Sequence, residues 1–221
     1  MGTLGIMDDD VVDRSNLQRQ IIHGTADIGR SKVRSAAVRV KDINPHVETV
    51  LYEERAEAEN LMEILSKYDF IIDAVDSFAS KFLINDACVL AKKPFCHGGI
   101  REFQGQVMTY VPGCGPCYRC IFEEIPADGQ IDSCSQAGVL GTMPGIIGSL
   151  QALEAQKYLL GTGDLLTGAM LVFDGLSMEF RKVKFSKASP SCRVCGEKAD
   201  IKTLEKSEYE VAAACQWKGK Q

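Results

Sequence analysis

Apolar and polar residues alternate with two different periods along the chain, and the period changes near residue 103. Up to that point, short apolar runs are separated by segments whose apolar residues recur every three or four positions, the spacing of a helix with one buried face. The predicted strands are 5–7, 47–52, 70–76 and 94–99, and the predicted helices are 33–40, 58–66 and 81–91. This alternation is typical of a Rossmann-like, doubly wound and mostly parallel sheet, so we expect an α/β fold with a fully buried strand at 70–76.

From residue 104 onward the apolar residues first recur at every second position, which favours strands. The predicted elements are a strand at 105–111, a helix at 139–160 and a β-hairpin at 170–185. The most apolar stretch, 137–155, is interrupted by Pro144 and Glu154. A membrane span needs about 20 largely uninterrupted apolar residues, so we predict a buried helix there and no membrane partner. Since no linker separates the two parts, we expect one domain covering residues 1–221.

Composition and charge narrow the class of protein. The chain has 221 residues, 45% of them hydrophobic and 25% charged, which is ordinary for a globular domain. Its net charge is −5 and no basic block exceeds two residues, which argues against a nucleic-acid partner. Nine cysteines at irregular spacing, with no cationic and apolar leader, predict a reducing cytoplasmic location.

Two Cys-x-x-Cys pairs, Cys117/Cys120 and Cys192/Cys195, each lie in a segment rich in turn residues. A two-residue spacer lets both sulfurs of a pair point at one centre, and four thiolates close a tetrahedral Zn²⁺ site with no open position. We therefore predict a structural zinc site that fastens the two segments together. Disulfide bonds are the alternative. Cys114 could replace Cys120 as a ligand, because Cys114 lies three residues before Cys117 and Cys120 lies three residues after it.

Charged residues fall where strands end and helices begin. Asp8 and Asp76 follow predicted strands, and ligands of parallel sheets bind at the carboxyl ends of strands. An acid in Asp8's position commonly binds a ribose hydroxyl, although a solvated acidic turn gives the same pattern. Lys32 follows Ser31, a predicted N-cap, and a cation at a helix start favours an anionic group. Solvated surface charges would account for Lys32 equally well.

Several motifs together carry a resemblance to a known family. They are Ser15-Asn16-Leu17-Gln18-Arg19-Gln20, Gly29-Arg30-Ser31-Lys32, Asn44-Pro45-His46, Asp73-Ala74-Val75-Asp76, Pro116-Cys117-Tyr118-Arg119-Cys120, Gly148-Ser149-Leu150-Gln151-Ala152 and the closing Cys192/Cys195 pair. In combination they resemble the MoeB/ThiF/HesA family, the bacterial relatives of ubiquitin-activating enzymes. The resemblance extends over nearly the whole chain.

This resemblance implies an adenylyltransferase that uses ATP and Mg²⁺. Its substrate would be the C-terminal Gly-Gly carboxylate of a small ubiquitin-fold sulfur-carrier protein, in molybdopterin or thiamin biosynthesis. The products would be an acyl-adenylate and pyrophosphate. The resemblance also implies a homodimer, a nucleotide-binding part at 1–103 and a C-terminal part with the zinc site at 104–221.

The resemblance also assigns roles to particular residues. Asp8 matches the family's ribose-binding acid, Asp76 matches its Mg²⁺-binding carboxylate, and Gln20 is a weaker nucleotide-binding candidate. The phosphate-binding residues would be Asn16, Arg19 and Lys32. Cys134 matches a cysteine with which some relatives form a thioester or persulfide. A loop cysteine with no role is the alternative for Cys134.

The sequence departs from the family pattern at one feature, the glycine-rich phosphate loop. No Gly-x-Gly-x-x-Gly segment occurs at a strand-to-helix turn, and the strand that precedes this loop in the family has no counterpart. We therefore expect unpaired backbone between the strand ending near Asp8 and the one ending near Asp76. The glycines at 138, 141, 145 and 148 are instead spaced for close helix packing. A non-catalytic scaffold that binds a ubiquitin-like protein or a sister subunit is thus one alternative function, and a Rossmann-type oxidoreductase is another.

Overall fold

A computed structural model describes residues 1–127, 138–185 and 187–210, and it confirms the predicted α/β class. The strands are β1 Thr3–Met7, β2 Glu48–Tyr52, β3 Ile71–Asp73, β4 Phe95–Arg101, β5 Gln104–Tyr110, β6 Ala169–Asp174 and β7 Glu179–Lys184. The helices are α1 Lys32–Ile43, α2 Leu61–Ser66, α3 Phe78–Leu90, α4 Tyr118–Phe122 and α5 Thr142–Leu160. Short 3₁₀ helices lie at Arg14–Asn16, Thr25–Asp27 and Lys206–Tyr209.

The strands form two sheets. β1 and β2 pair in parallel, and a second sheet has the strand order β3-β4-β5-β6-β7. β3 and β4 are parallel as predicted, whereas β4 to β7 are joined by antiparallel pairs. Within the described residues β1 and β3 are not hydrogen-bonded to each other, so each has one edge without a neighbour. This geometry matches the expected unpaired backbone between the two strands.

The strand predicted at 70–76 is shorter and less buried than its apolar sequence suggests. β3 covers only Ile71–Asp73, and the side chain of Ile72 is 46% exposed. The prediction of a fully buried strand was wrong because β3 is an edge strand, and apolar periodicity does not tell which strand lies at an edge.

The five-stranded sheet is packed on both faces. Successive residues of a strand point to opposite faces, so Phe95 and Met108 contribute to a core shared with α3, while Cys96 and Val107 contribute to a core shared with α5. α3 is apolar almost all round, and most of its residues are buried. This sheet therefore lies between α3 and α5, the two longest helices among the described residues, and its edge carries the loop after β3.

Helix α5 buries a single face rather than its whole surface. Met143, Ile147, Gln151 and Glu154 recur at the spacing of one helix face and are buried, whereas Leu153 is 49% exposed. The prediction of a buried helix was therefore right for one face only. No helix within the described residues has both the length and the hydropathy needed to cross a membrane.

Only one of the glycines proposed for close helix packing at α5 is closely packed. Added side chains at Gly138, Gly145 and Gly148 would meet no atom within 4 Å, so the expectation was wrong for these three residues. A methyl group at Gly141 would collide with the main-chain carbonyl of Gln18. This contact brings the 15–20 segment against the start of α5.

Candidate functional site

A salt-bridged lysine lies at the carboxyl end of β1. The Lys32 ammonium is 2.7 Å from Asp10 Oδ2 and 3.7 Å from Asp8 Oδ2, and its side chain is only 12% exposed. The main chain sets up this contact, because Lys32 N–H donates to the Asp10 carbonyl (3.0 Å) and Val12 N–H donates to the Arg30 carbonyl (2.8 Å). Two residues predicted from separate motifs, Asp8 and Lys32, are therefore neighbours. The predicted N-cap Ser31 makes no side-chain capping bond to α1.

The next predicted site residue, Asn16, is buried in a capping box. Asp13 accepts a hydrogen bond from the Ser15 amide (2.7 Å), and Asn16 Oδ1 accepts one from the Asp13 amide (3.0 Å). Hydrogen bonds from the Ser15 hydroxyl and, to a lesser extent, the Ser15 amide lower the pKa of Asp13 below its ordinary value. This reciprocal pattern stabilises the single 3₁₀ turn and fixes the start of the segment that carries Arg19 and Gln20.

Arg19 and Gln20 follow on this fixed turn, and their amides donate to the Asn16 carbonyl at 3.0 and 2.8 Å. The Arg19 guanidinium makes a hydrogen bond to the Ser15 carbonyl (3.2 Å) and, among the described residues, no ion pair. Gln20 Oε1 is buried and has no hydrogen-bond partner in the described part of the chain. An unsatisfied buried oxygen costs about 1–3 kcal/mol, which a donor on a bound ligand would offset.

His23 lies near this group, although the sequence indicated no site role for it. Its Nδ1 is 2.8 Å from Ser35 Oγ on α1. Burial lowers the pKa of His23, and the positive charge of Lys32 lowers it further, while Asp27 and Asp8 raise it. His23 is therefore within electrostatic reach of Lys32 and Asp8 and is neutral near pH 7. No motif surrounds His23, so only the fold places it there.

Asp76 lies in the loop between β3 and α3. The loop is fixed on both sides, because Asp73 Oδ1 accepts from the Val75 amide (3.1 Å) and Ser77 Oγ accepts from the Ser80 amide (3.1 Å). Asp76 itself is exposed and forms no ion pair within the described residues. Mg²⁺ commonly binds through one or two carboxylates together with substrate phosphates, so the Asp76 carboxylate fits a magnesium ligand of that kind.

Helix α5 connects the two groups of candidate residues. Gln18 Nε2 donates to the Val139 carbonyl (3.3 Å) just before the helix, and Gln151 Nε2 donates to the Asp73 carbonyl (2.7 Å) at the end of β3. Gly141, which contacts Gln18, and Gln151 are separated by about 15 Å along the helix axis. The segment with Arg19 and the loop with Asp76 therefore both lie along α5.

The four predicted cysteine ligands lie together. Sγ–Sγ distances are 3.8 Å for Cys117–Cys120, 3.6 Å for Cys117–Cys192, 3.3 Å for Cys120–Cys195 and 3.4 Å for Cys117–Cys195. Zn–S bonds of about 2.3 Å give tetrahedral edges of about 3.8 Å, so this cluster fits a closed zinc site. All four thiols are free, and Cys114 is exposed and outside the cluster. The structure thus favours Cys120 over Cys114 and gives no support to disulfides.

Close contact shifts the cysteine pKa values in opposite directions. The hydrogen bond from Cys117 lowers the pKa of Cys120 to about 7. The hydrogen bonds of Cys117 to Cys120 and Cys192 raise the pKa of Cys117 above its ordinary range. Four neighbouring thiols therefore cannot all ionise without a cation. A divalent metal removes this conflict because it binds every member as a thiolate.

Helix α3 holds the first cysteine pair through two buried polar residues that the sequence analysis did not identify. Asn85 Oδ1 accepts from the Tyr118 amide (2.8 Å), and the Asp86 carboxylate binds the Arg119 guanidinium. Their only sequence signal is a polar pair between apolar residues in the middle of the helix. Cys134 lies outside the described residues, so its role stays a prediction, as does the division of the domain at 103/104.

The fold and these residues define an α/β protein with a charged sheet edge suited to an anionic ligand and a four-cysteine cluster suited to zinc. The chain belongs to the ThiF family, whose model matches residues 1–194. This membership confirms the family predicted from the motifs.

Relatives in this family carry names that describe activation chemistry. The SAMP-activating enzyme E1 of Haloferax volcanii is 42% identical over 214 residues, which are 97% of this chain and 78% of that protein. The adenylyltransferase and sulfurtransferase MOCS3 of Mus musculus is 40% identical over 210 residues, 95% of this chain and 45% of the relative. MOCS3-1 of Zea mays is 43% identical over 212 residues, 95% of this chain and 45% of that protein. The chain therefore spans just under half the length of the MOCS3 relatives.

Solved structures of MccB from E. coli share the fold. The complex with ATP superimposes with a TM-score of 0.76 over 88% of this chain and 59% of that chain, at 19% identity. The complex with MccA-N7isoASN gives a TM-score of 0.75 over 88% and 60% of the two chains, also at 19% identity. At this identity the likeness shows the fold alone.

Proposed function

We propose that this chain adenylylates the C-terminal Gly-Gly carboxylate of a small ubiquitin-fold sulfur-carrier protein, with ATP as the second substrate. The position of Lys32 carries the proposal, because a nearly buried ammonium between Asp8 and Asp10 follows the strand end where a nucleotide would bind. The names of the relatives, SAMP-activating enzyme and adenylyltransferase, support the same reaction class.

Each candidate residue has a role in binding the nucleotide. Asp8 accepts a hydrogen bond from a ribose hydroxyl, and Gln20 Oε1 accepts a further ligand donor. Asn16, Arg19 and Lys32 bind the phosphates, and Lys32 exchanges its bond to Asp10 for one to a phosphate oxygen. Neutralising the phosphate charge lets an anionic carboxylate approach without strong repulsion.

In the reaction, a carboxylate oxygen of the carrier forms a bond to the α-phosphorus of ATP. The bond from that phosphorus to the bridging oxygen breaks, and its electron pair leaves with pyrophosphate. Asp76 would hold Mg²⁺, which supplies charge neutralisation on the phosphate oxygens when it is bound. The chain's own contribution is to align the two substrates, since positioning accounts for much of the rate of such substitutions.

The finer parts of the proposal concern pathway, assembly and location. The carrier would serve molybdopterin or thiamin biosynthesis, and the enzyme would act as a cytoplasmic homodimer with a structural zinc at the four-cysteine cluster. If Cys134 takes part, it would form a thioester or persulfide with the carrier after adenylation.

A non-catalytic scaffold for a ubiquitin-like partner is the second candidate function. This candidate depends on the phosphate loop, because no Gly-x-Gly-x-x-Gly motif within residues 1–221 provides backbone amides for phosphates. Such a scaffold would bind the carrier but would not turn over ATP. Arg19, Lys32 and Asp76 argue against it, because a scaffold has no need of this combination.

Exchange of labelled pyrophosphate into ATP distinguishes the two candidates. We expect exchange that depends on a carrier ending in Gly-Gly, and a loss of about 100-fold or more in Lys32→Ala and Asp76→Ala. Lys41→Ala at the other end of α1 and Asp164→Asn, both exposed, are matched controls that should keep parental exchange. A parent chain that binds such carriers without any exchange would support the scaffold instead.

A further inference from the structure

Three ionisable side chains are buried together where β3, β4 and α3 meet. Asp73 is 1%, Lys81 7% and His97 0% exposed. His97 Nδ1 is 2.7 Å from Asp73 Oδ2, and the Lys81 ammonium is 3.6 Å from the same oxygen. Removing charged groups from water is costly, and apolar residues of the same volume would fill this space at lower cost. A task beyond filling the core therefore accounts for these three residues, which we call the buried triad.

The buried triad fixes both ends of the loop that carries Asp76. At the start of the loop, Asp73 accepts from the Val75 amide (3.1 Å), and its carbonyl accepts from Gln151 (2.7 Å). Beyond the end of the loop, Lys81 in the first turns of α3 donates to the Gly98 carbonyl on β4 (2.8 Å). Asp76 itself is exposed, so its position depends on these neighbouring anchors.

His97 completes the hydrogen bonding of Asp73. Its Nδ1–H donates to Asp73 Oδ2. This leaves Nε2 to accept from the side-chain amide of Gln106 on β5, at 3.4 Å. The ring of Tyr118 on α4 packs against the imidazole, with centroids 4.5 Å apart. The titratable or charged groups that face His97 are thus Asp73, Lys81 and Tyr118.

The charges of the buried triad compensate each other. Burial alone would raise the pKa of Asp73, but the Lys81 charge and the His97 hydrogen bond lower it below its ordinary value. Burial and the Lys81 charge lower the pKa of His97, so the imidazole is neutral near pH 7. One carboxylate and one ammonium therefore balance, and His97 supplies a neutral hydrogen bond.

We propose that Asp73, Lys81 and His97 are positioning residues that hold the 74–77 loop so that Asp76 presents its carboxylate to a metal–nucleotide complex. The proposal rests on the function proposed above. Among these residues His97 offers the sharpest test, since its side-chain hydrogen bonds go to Asp73 and Gln106 and it is linked to the loop through Asp73. A core residue that merely fills space would affect stability without affecting the loop.

A pair of substitutions separates positioning from packing. His97→Leu fills the cavity but removes the hydrogen bond to Asp73, whereas His97→Asn keeps an N–H that can donate to it. Ile84→Ala, on the same helix as Lys81 and buried at 6% exposure, is the control for lost stability alone. Zinc content and the urea midpoint of each variant report on the fold.

Two measurements decide the outcome. Amide hydrogen exchange should become at least 10-fold faster at residues 74–77 in His97→Leu, but stay within about 3-fold of the parent in His97→Asn and Ile84→Ala. The Mg²⁺ concentration for half-maximal pyrophosphate exchange should rise about 10-fold in His97→Leu alone. Unchanged loop exchange in His97→Leu, or equal effects in Ile84→Ala, would overturn the proposal. A parent protein that does not exchange pyrophosphate into ATP would refute the proposed function. Amide hydrogen exchange at residues 74–77 would still decide whether the buried triad holds the loop.

Discussion

Arg119 and Asp86 form a buried ion pair that joins the four-cysteine cluster to helix α3. Arg119 donates from Nε to Oδ1 (3.1 Å) and from a terminal nitrogen to Oδ2 (2.6 Å), and the side chains are 4% and 0% exposed. Tyr209 donates a third hydrogen bond to Asp86 (3.0 Å), and the guanidinium lies over the Phe82 ring. The cluster is therefore anchored to α3, which begins two residues after Asp76.

Removing one partner of this buried ion pair should lower the free energy of unfolding much more than removing one partner of an exposed ion pair. Asp86→Ala leaves the Arg119 charge buried without compensation, and we expect a loss of about 3–5 kcal/mol in the free energy of unfolding. Glu53→Ala is the comparison, because its pair with Arg34 is short but exposed to solvent, which screens it, so its removal should cost much less. Urea unfolding of both variants checks this, and similar losses would show that burial does not matter here.

The four-cysteine cluster should bind a single zinc ion per chain, and one serine substitution should release it. We expect Cys195→Ser to lose the metal and to unfold at a lower temperature, because the two cysteine pairs are then no longer fastened together. Cys114→Ser changes a nearby exposed thiol outside the cluster and should keep both zinc and stability. Elemental analysis and thermal unfolding provide the measurements. Parent protein purified without chelators but free of zinc would rule out the site.

Two glycine-to-alanine substitutions should change stability in opposite directions. A methyl group on Gly98 would lie 2.5 Å from the Gln151 side-chain amide, so Gly98→Ala should cost about 1–3 kcal/mol by displacing that side chain. Gly148 faces open space inside α5, so Gly148→Ala should stabilise the chain by about 0.5–1 kcal/mol. Denaturant midpoints measure both effects. If Gly98→Ala is neutral, the contact between Gly98 and Gln151 is not tight in solution.

Acidification should destabilise the chain partly through His97. Its folded pKa is lowered from the ordinary value of 6.5, so the unfolded chain binds a proton first as pH falls. The contribution of His97 to the free energy of unfolding is fully present above pH 6.5. It declines below that pH, by up to about 1.4 kcal/mol per pH unit for one proton. Asp73, whose pKa is also lowered from 3.8, adds a loss at lower pH.

The His97→Asn variant isolates the contribution of His97 to the pH dependence of stability. Unfolding free energies at pH 7.5 and 5.5 should differ less in this variant than in the parent. The remaining difference belongs in part to His23, whose pKa is lowered as well. An identical pH dependence in both proteins would show that His97 does not titrate in this range.

Local patterns predicted the α/β class, most elements and the two cysteine pairs that lie together, because each of these depends on spacing within a short segment. The exposure of Ile72 was not predictable, since it depends on β3 being an edge strand. The buried ion pair of Asp86 was not predictable either, because its partner Arg119 lies 33 residues away. The choice between Cys114 and Cys120 also needed the fold, because both lie three residues from Cys117.

The carboxylates around Lys32 set a condition on what can bind there. Asp10 already compensates the ammonium at 2.7 Å, so an anion with a single charge gains little by displacing it. Under the proposed function, a triphosphate brings several charges and would bind Arg19 at the same time, which would offset the lost contact. We therefore expect simple monovalent anions to bind weakly at Lys32 in the free protein.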